Sequence, residues 1–291
     1  MKKCASLLFL CFGLVASAEE DPSYWSYHPL HVGANAIRIG RANVTDGASG
    51  DLYFRKTSVF TDILVPVSQT SYFFPRVEWN MFSLDWNKNT KFTQNHFHYL
   101  QFALTFYSIG LENWRWIVRA DYNLDVNHFS DPGRYGLFSG LLWGAYQPHR
   151  KWHFHMGALG YVGMEGDEIW PVIGADFAPN KKWFFQFLFP LNYSVEYNIS
   201  SKWRLAAKVR PLKERFRTGA KEPQPRSVFS YSTTGAEINA HYDLPRRLEI
   251  EMYAGYNLGG SFYIKNQYGK NGLWTDLGGA PYVGASLNFG F

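Results

Sequence analysis

The sequence predicts an all-β chain, a single transmembrane antiparallel up-and-down β-barrel of about fourteen strands, with about twelve as the alternative count. Three observations carry that expectation. Stretch after stretch is apolar at every second residue and polar between, the period of a strand with one greasy face. Aromatic residues make up 19% of the chain, yet mean hydropathy is only -0.27, and no window beyond residue 18 is long and apolar enough for a spanning helix. Short turns alternate with longer connections, as expected when hairpins share the two rims of one barrel.

Met1 to Ala18 reads as a cleaved signal peptide, with Lys2 and Lys3 before an apolar run from Ala5 to Val15 and a small-residue site at Ala16-Ser17-Ala18. That run is shorter than the ~20 residues a spanning helix needs. Both cysteines, Cys4 and Cys11, lie inside the expected signal peptide, so the remaining chain has no disulfide or thiol chemistry. Loss of Lys2 and Lys3 lowers the formal net charge from +5 to +3, too mild to argue for nucleic acid. Residues 19–30 are then expected as a short periplasmic leader and 31–291 as the barrel.

The first strands are expected near Val32 and Leu52. Leu100, Phe102, Leu104 and Phe106 alternate with Tyr99, Gln101, Ala103 and Thr105. Trp114, Trp116, Val118, Ala120 and Tyr122 alternate with Arg115, Ile117, Arg119, Asp121 and Asn123, which gathers charge on one face. Ala236, Ile238 and Ala240 oppose Glu237, Asn239 and His241; Leu248, Ile250 and Met252 oppose Glu249, Glu251 and Tyr253. For one strand the polar face is adequately explained by solvent. Its recurrence makes the polar side a lumen and the apolar side a lipid-facing wall.

The chain ends on Val283, Ala285, Leu287, Phe289 and Phe291 alternating with Tyr282, Gly284, Ser286, Asn288 and Gly290. This resembles the C-terminal strand of bacterial outer-membrane β-barrels, and the whole chain is similar in style to barrel families of diderm bacteria that have no assigned function. The resemblance implies an outer-membrane location and an assembly signal at Leu287, Phe289 and Phe291 read by the barrel-assembly machinery. It also implies outer-membrane lipid and lipopolysaccharide as surroundings.

With Phe291 at the periplasm, short turns at 111–113, 148–151, 179–182, 200–202 and 244–247 fall on one side. Longer connections at 87–96, 127–134, 164–168, 211–226 and 259–279 fall on the other. The sides alternate only if 182–189 and 191–199 are separate crossings, with Pro190 second in a turn from Phe189 to Asn192. Lys151-Trp152, Lys182-Trp183 and Lys202-Trp203 each put a basic residue in a periplasmic turn and an indole at the next strand position, so Trp152, Trp183 and Trp203 are expected membrane-interface anchors.

The same residues give enzymes little support. His153 and His155, like His96 and His98, share a strand face at a zinc-compatible spacing without further ligands, and no metal or cofactor is expected. His128-Phe-Ser130 resembles the catalytic pair of outer-membrane lipid A deacylases, departing from that family at Asp131; the resemblance would make Ser130 a nucleophile and His128 its base. A turn-forming loop is the expected reading. What remains is the lumen, with Arg115, Arg119, Asp121, Arg204, Lys208, Arg210, Glu249 and Glu251 as lining residues of both signs. A passive or ligand-selective channel for small polar solutes is the leading expectation, and a non-conducting surface-exposed barrel the alternative.

Overall fold

A computed structural model describes residues 29–45, 50–164, 166–244, 247–268, 270 and 272–291. The expected signal peptide and most of the leader lie outside the described residues. The first strands are β1 (Leu30–Thr45), β2 (Gly50–Ile63), β3 (Val65–Ser68), β4 (Ser71–Trp86), β5 (His96–Ser108) and β6 (Trp114–Asp125). β7 (Gly136–His149), β8 (Trp152–Gly163), β9 (Glu168–Phe177), β10 (Trp183–Phe189) and β11 (Asn192–Asn198) follow. The chain ends with β12 (Trp203–Arg217), β13 (Val228–Leu244), β14 (Leu248–Lys265), β15 (Leu273–Leu277) and β16 (Ala280–Gly290).

All of these join one antiparallel sheet that closes where β1 pairs with β16, from His31 opposite Gly290 to Ile39 opposite Tyr282. β3 is a short extension on β4, and β15 pairs with the upper ends of β14 and β1 above β16. Among the described residues the wall therefore has 14 crossings. The short segments around Pro190 are two of them. Their turn closes one residue earlier than the sequence suggests: the Leu191 amide donates to the Leu188 carbonyl at 2.6 Å, which makes Pro190 its third residue.

Burial is inverted relative to a water-soluble protein. Val59, Trp79, Phe102, Leu104, Leu142, Met156, Ile173, Phe187, Ile238 and Met252 are exposed on the outer face. Ser58, Glu78, Asn80, Arg119, Asp121, Ser139, Glu237 and Asn239 are buried on the inner one. Period-two alternation produces this split because successive side chains of a strand point to opposite sides of the sheet. Inside-out burial is stable when hydrocarbon covers the outside and inward polar groups find partners.

Two connections depart from expectation. Residues 211–217 are strand, not loop, paired with β13 from Pro211 opposite Thr234 to Arg217 opposite Val228. Residues 260–265 likewise continue β14, and 273–277 form β15. Pro211 reads as a strand breaker, but β11 has already ended at Tyr193 opposite Val209, and an edge position tolerates a missing N–H. The extended sheet turns at a bulge between Thr233 and Gly235, where Gly259 takes a φ of 96° that a side chain would resist.

Candidate functional site

The inward face divides into a polar lower lumen and an aromatic mouth. In the lower lumen, charges meet across and along strands. Arg119 lies 2.5 Å from Asp121, which also accepts from Gln101 at 2.8 Å. Lys208 reaches Glu251 at 3.2 Å, and Asn239 donates to the same carboxylate at 2.6 Å. Arg210 pairs with Glu237, whose second oxygen accepts from the Tyr282 hydroxyl at 2.8 Å. Arg204 lies 3.6 Å from Glu196, and Arg76 binds Glu78 at 3.0 Å. Asp121 and Glu237 stay buried because a cation and neutral donors replace their water, while Glu196 and Glu251 are partly buried beside their cations.

Above this zone the wall is interrupted. The β10–β11 hairpin rises only to Phe189 and Asn192, so Glu168 to Val172 of β9 have no β10 partner and β12 beyond Val209 has no β11 partner. The freed upper half of β12 leans into the mouth and makes contacts on both faces. On one, Lys213 and Arg215 share the Glu168 carboxylate at 2.5 and 2.6 Å, while Arg215 also donates to the carbonyls of Gly163 and Gly166 at 3.1 and 2.8 Å. On the other, Glu214 meets Lys56 at 3.0 Å, and Phe216 packs against Phe82 and Phe97, each with ring centroids 4.9 Å away.

The aromatic packing continues around the mouth. Phe54 stacks on Tyr231 at 4.8 Å, Trp86 meets Phe262 edge-on at 4.7 Å, and Phe92 meets Phe229 at 5.5 Å. Phe216, Phe229 and Phe262 are almost wholly buried. The 218–227 connection is tied to the β4–β5 connection, with the Gly219 amide donating to Gln94 at 2.9 Å and the Gln224 amide to the Lys91 carbonyl at 3.2 Å. Burying one such ring contributes roughly 1.5–3 kcal/mol. The whole set therefore outweighs the single Glu168 contact in holding the upper half of β12 against the inner faces of β4 and β5.

Of the residues singled out in the sequence, Arg119 and Asp121 come together, as do Lys208 and Glu251. Arg204 pairs with Glu196, and Arg210 with Glu237, a polar-face residue outside the expected set of lining residues. Arg115 is half-buried on the inward face of β6, opposite Ala145, and Glu249 lies at the lower rim opposite Asp243 and Asn288. Trp152, Trp183 and Trp203 are part-exposed at the lower rim, opposite Phe177, Tyr197 and Tyr242 at 4.4, 4.8 and 4.4 Å. Leu287 and Phe291 are exposed, Phe289 packs edge-on to Phe291 at 4.5 Å, and the Phe291 amide donates to the Leu30 carbonyl at 2.8 Å.

The histidines have other partners than metal. His155 accepts from the Trp143 indole at 3.0 Å and presents Nε2 to Asp176 at 2.8 Å. Among the described residues no group of three potential ligands converges. His128 contacts Asp125 at 3.0 Å and stacks on Tyr135 at 3.8 Å, pinning the β6–β7 connection. Among the described residues no hydrogen bond joins His128 to Ser130, which is exposed. Lys213, Glu214, Arg215 and Phe216 were missed because charged residues beside Pro211 look like loop. Their alternation, with Leu212, Glu214 and Phe216 on one side and Lys213, Arg215 and Arg217 on the other, is the signal that reveals them.

An outer membrane channel of Pseudomonas putida F1 has a similar fold, with a TM-score of 0.53 at 10% identity over 94% of this chain and 100% of that one. The chain thus has the fold of an outer-membrane β-barrel. An uncharacterized protein of Chlamydia trachomatis serovar D is 22% identical over 200 residues, covering 68% of this chain. The match spans 62% of that relative, so this chain accounts for less than two thirds of its length. One of Chlamydia muridarum is 23% identical over 275 residues, covering 88% of this chain and 85% of its own. The sequence profile of one family matches residues 87–290, more than half of the chain, and the protein belongs to that family, described as Domain of unknown function (DUF6268).

Proposed function

We propose that this barrel is a gated channel of the outer membrane for small polar solutes. The observation that carries the reading is the upper half of β12, which is held in the mouth by side chains rather than in the wall by a β11 ladder. Below it lies a lumen with charges of both signs, Arg119 with Asp121, Lys208 with Glu251 and Arg210 with Glu237. These pairs run along the wall, within β6 and between β12 and β13 or β14, and a lumen lined by such charges favours hydrated polar solutes over apolar ones. A stopper bonded to β13 along one edge and otherwise held by contacts on its faces moves at lower cost than a strand bonded along both edges, because fewer backbone hydrogen bonds break.

Liposome swelling with sugars and amino acids of graded size tests this. Purified barrel should admit the smaller solutes slowly, and Phe216→Ala should admit them faster. A second reading is favoured by the aromatic packing itself: a permanently shut barrel that presents its connections at the cell surface. On that reading Phe216→Ala remains impermeable.

A further inference from the structure

We infer that Arg38 and Arg55 form a binding site on the outer wall for the phosphate of a glycolipid headgroup in the outer leaflet. The two residues are directly opposite one another on β1 and β2, and both are exposed on the lipid-facing side. Like charges placed opposite in a ladder repel. Toward Leu30 the wall around them is apolar or small: Val283 lies opposite Arg38 and Ser83 opposite Arg55, followed by Ala36 and Thr57, then Ala34 and Val59. In the next row the other way, Tyr53 lies opposite the exposed Asp85, which forms no ion pair with either arginine. Elsewhere the outward faces of β6 to β14 run through residues such as Val118, Leu142, Met156, Ile173, Leu205, Ile238 and Met252.

Their neighbours do not neutralise them. Arg41, one bulge further along β1, is held by Asp51 at 2.8 Å. Among the described residues no carboxylate stands within ion-pair distance of Arg38 or Arg55. An anion from outside the chain is therefore the partner that fits, and two guanidinium forks side by side match the oxygens of one phosphate group.

Height identifies its source. Arg38 and Arg55 are each eight residues from the paired lower ends Leu30 and Ile63. At ~3.3 Å per residue and a tilt of ~40°, they sit roughly 20 Å above that rim, near the top of an apolar band about 25 Å tall. Long arginine stems carry the charge further toward the headgroups. The site rests on the reading that the β1–β2 hairpin points outward from the cell, but not on whether the barrel conducts.

Native mass spectrometry of the full chain released from detergent tests it. The probes are diphosphorylated lipid A, the same glycolipid with both phosphates removed, and inorganic phosphate as competitor. The unsubstituted protein should retain the phosphorylated lipid and not the dephosphorylated one. Millimolar inorganic phosphate should leave retention intact, since acyl chains contribute to binding. The Arg38→Ala/Arg55→Ala protein should lose about tenfold in retention. Equal retention of the two lipids, or full retention by the double variant, overturns the site. Displacement by inorganic phosphate overturns the lipid assignment. The first comparison needs no variant, so it decides the matter even if the double variant does not fold, and unchanged solute flux in that variant separates this site from the channel.

Discussion

Phe216 of β12 packs edge-on against Phe82 of β4, with ring centroids 4.9 Å apart and 69° between the planes, although the two strands are not neighbours in the sheet. The contact exists because β11 stops at the level of Val209 and leaves the rest of β12 without a ladder on that side. One short hairpin thereby frees an edge of β12, the strand proposed above as the stopper.

Phe216→Ala removes a buried ring that touches Phe82, Phe97 and Phe229. A change of this kind costs about 3–5 kcal/mol in a well-packed core. The barrel should still fold, because the lower ladders are untouched, but its mouth should loosen. The expected result is a several-fold rise in uptake of small sugars by liposomes, read as swelling rate.

Glu168→Gln should have the same direction and a smaller effect. It removes the charge shared by Lys213 and Arg215 while leaving the aromatic contacts in place. Removing one partner of a buried ion pair leaves an uncompensated charge, worth about 3–5 kcal/mol, but Glu168 is partly open and Arg215 keeps the carbonyls of Gly163 and Gly166. Swelling assays on both variants check the order. A larger effect of Glu168→Gln would show that the latch, not the ring cluster, holds β12.

Much of this architecture is legible in the sequence. The alternation in 114–124 and 248–256, and turn lengths that differ by rim, lead to about fourteen crossings because both follow from strand geometry alone. The stopper is not legible in the same way. Its strand is charged on the side that faces Glu168, and Pro211 marks its start, so local pattern reads it as loop; only the three-dimensional end of β11 explains why a strand there leaves the wall. The pairings of Arg210 with Glu237 and of Arg204 with Glu196 escaped for a related reason, since a contact between neighbouring strands depends on register that a single strand does not encode.

The lower rim offers a separate test. Trp152, Trp183 and Trp203 each face an aromatic ring across the open end of a hairpin. Such pairs contribute roughly 0.5–1.5 kcal/mol beyond area burial. Trp183→Ala and Trp203→Ala should each lower the midpoint of the folded-to-unfolded band shift on unheated gels, without altering solute uptake. A change in uptake with no change in the midpoint would remove the anchoring role.

Truncation of Phe291 should cripple assembly rather than transport. Its amide ties the last strand to Leu30 of the first, at the seam where the barrel closes. Membrane-extracted protein, measured by immunoblot after expression of the truncated chain, should fall well below that of the full chain. Normal levels of the truncated protein would show that this strand end does not serve as an insertion signal.

Single-channel recording in planar bilayers tests most directly whether the chain conducts when β12 moves. Purified folded barrel should give rare, discrete conductance steps, and Phe216→Ala should give frequent ones of the same or larger size. Folded protein that never conducts, with or without the Phe216 ring, would contradict the claim.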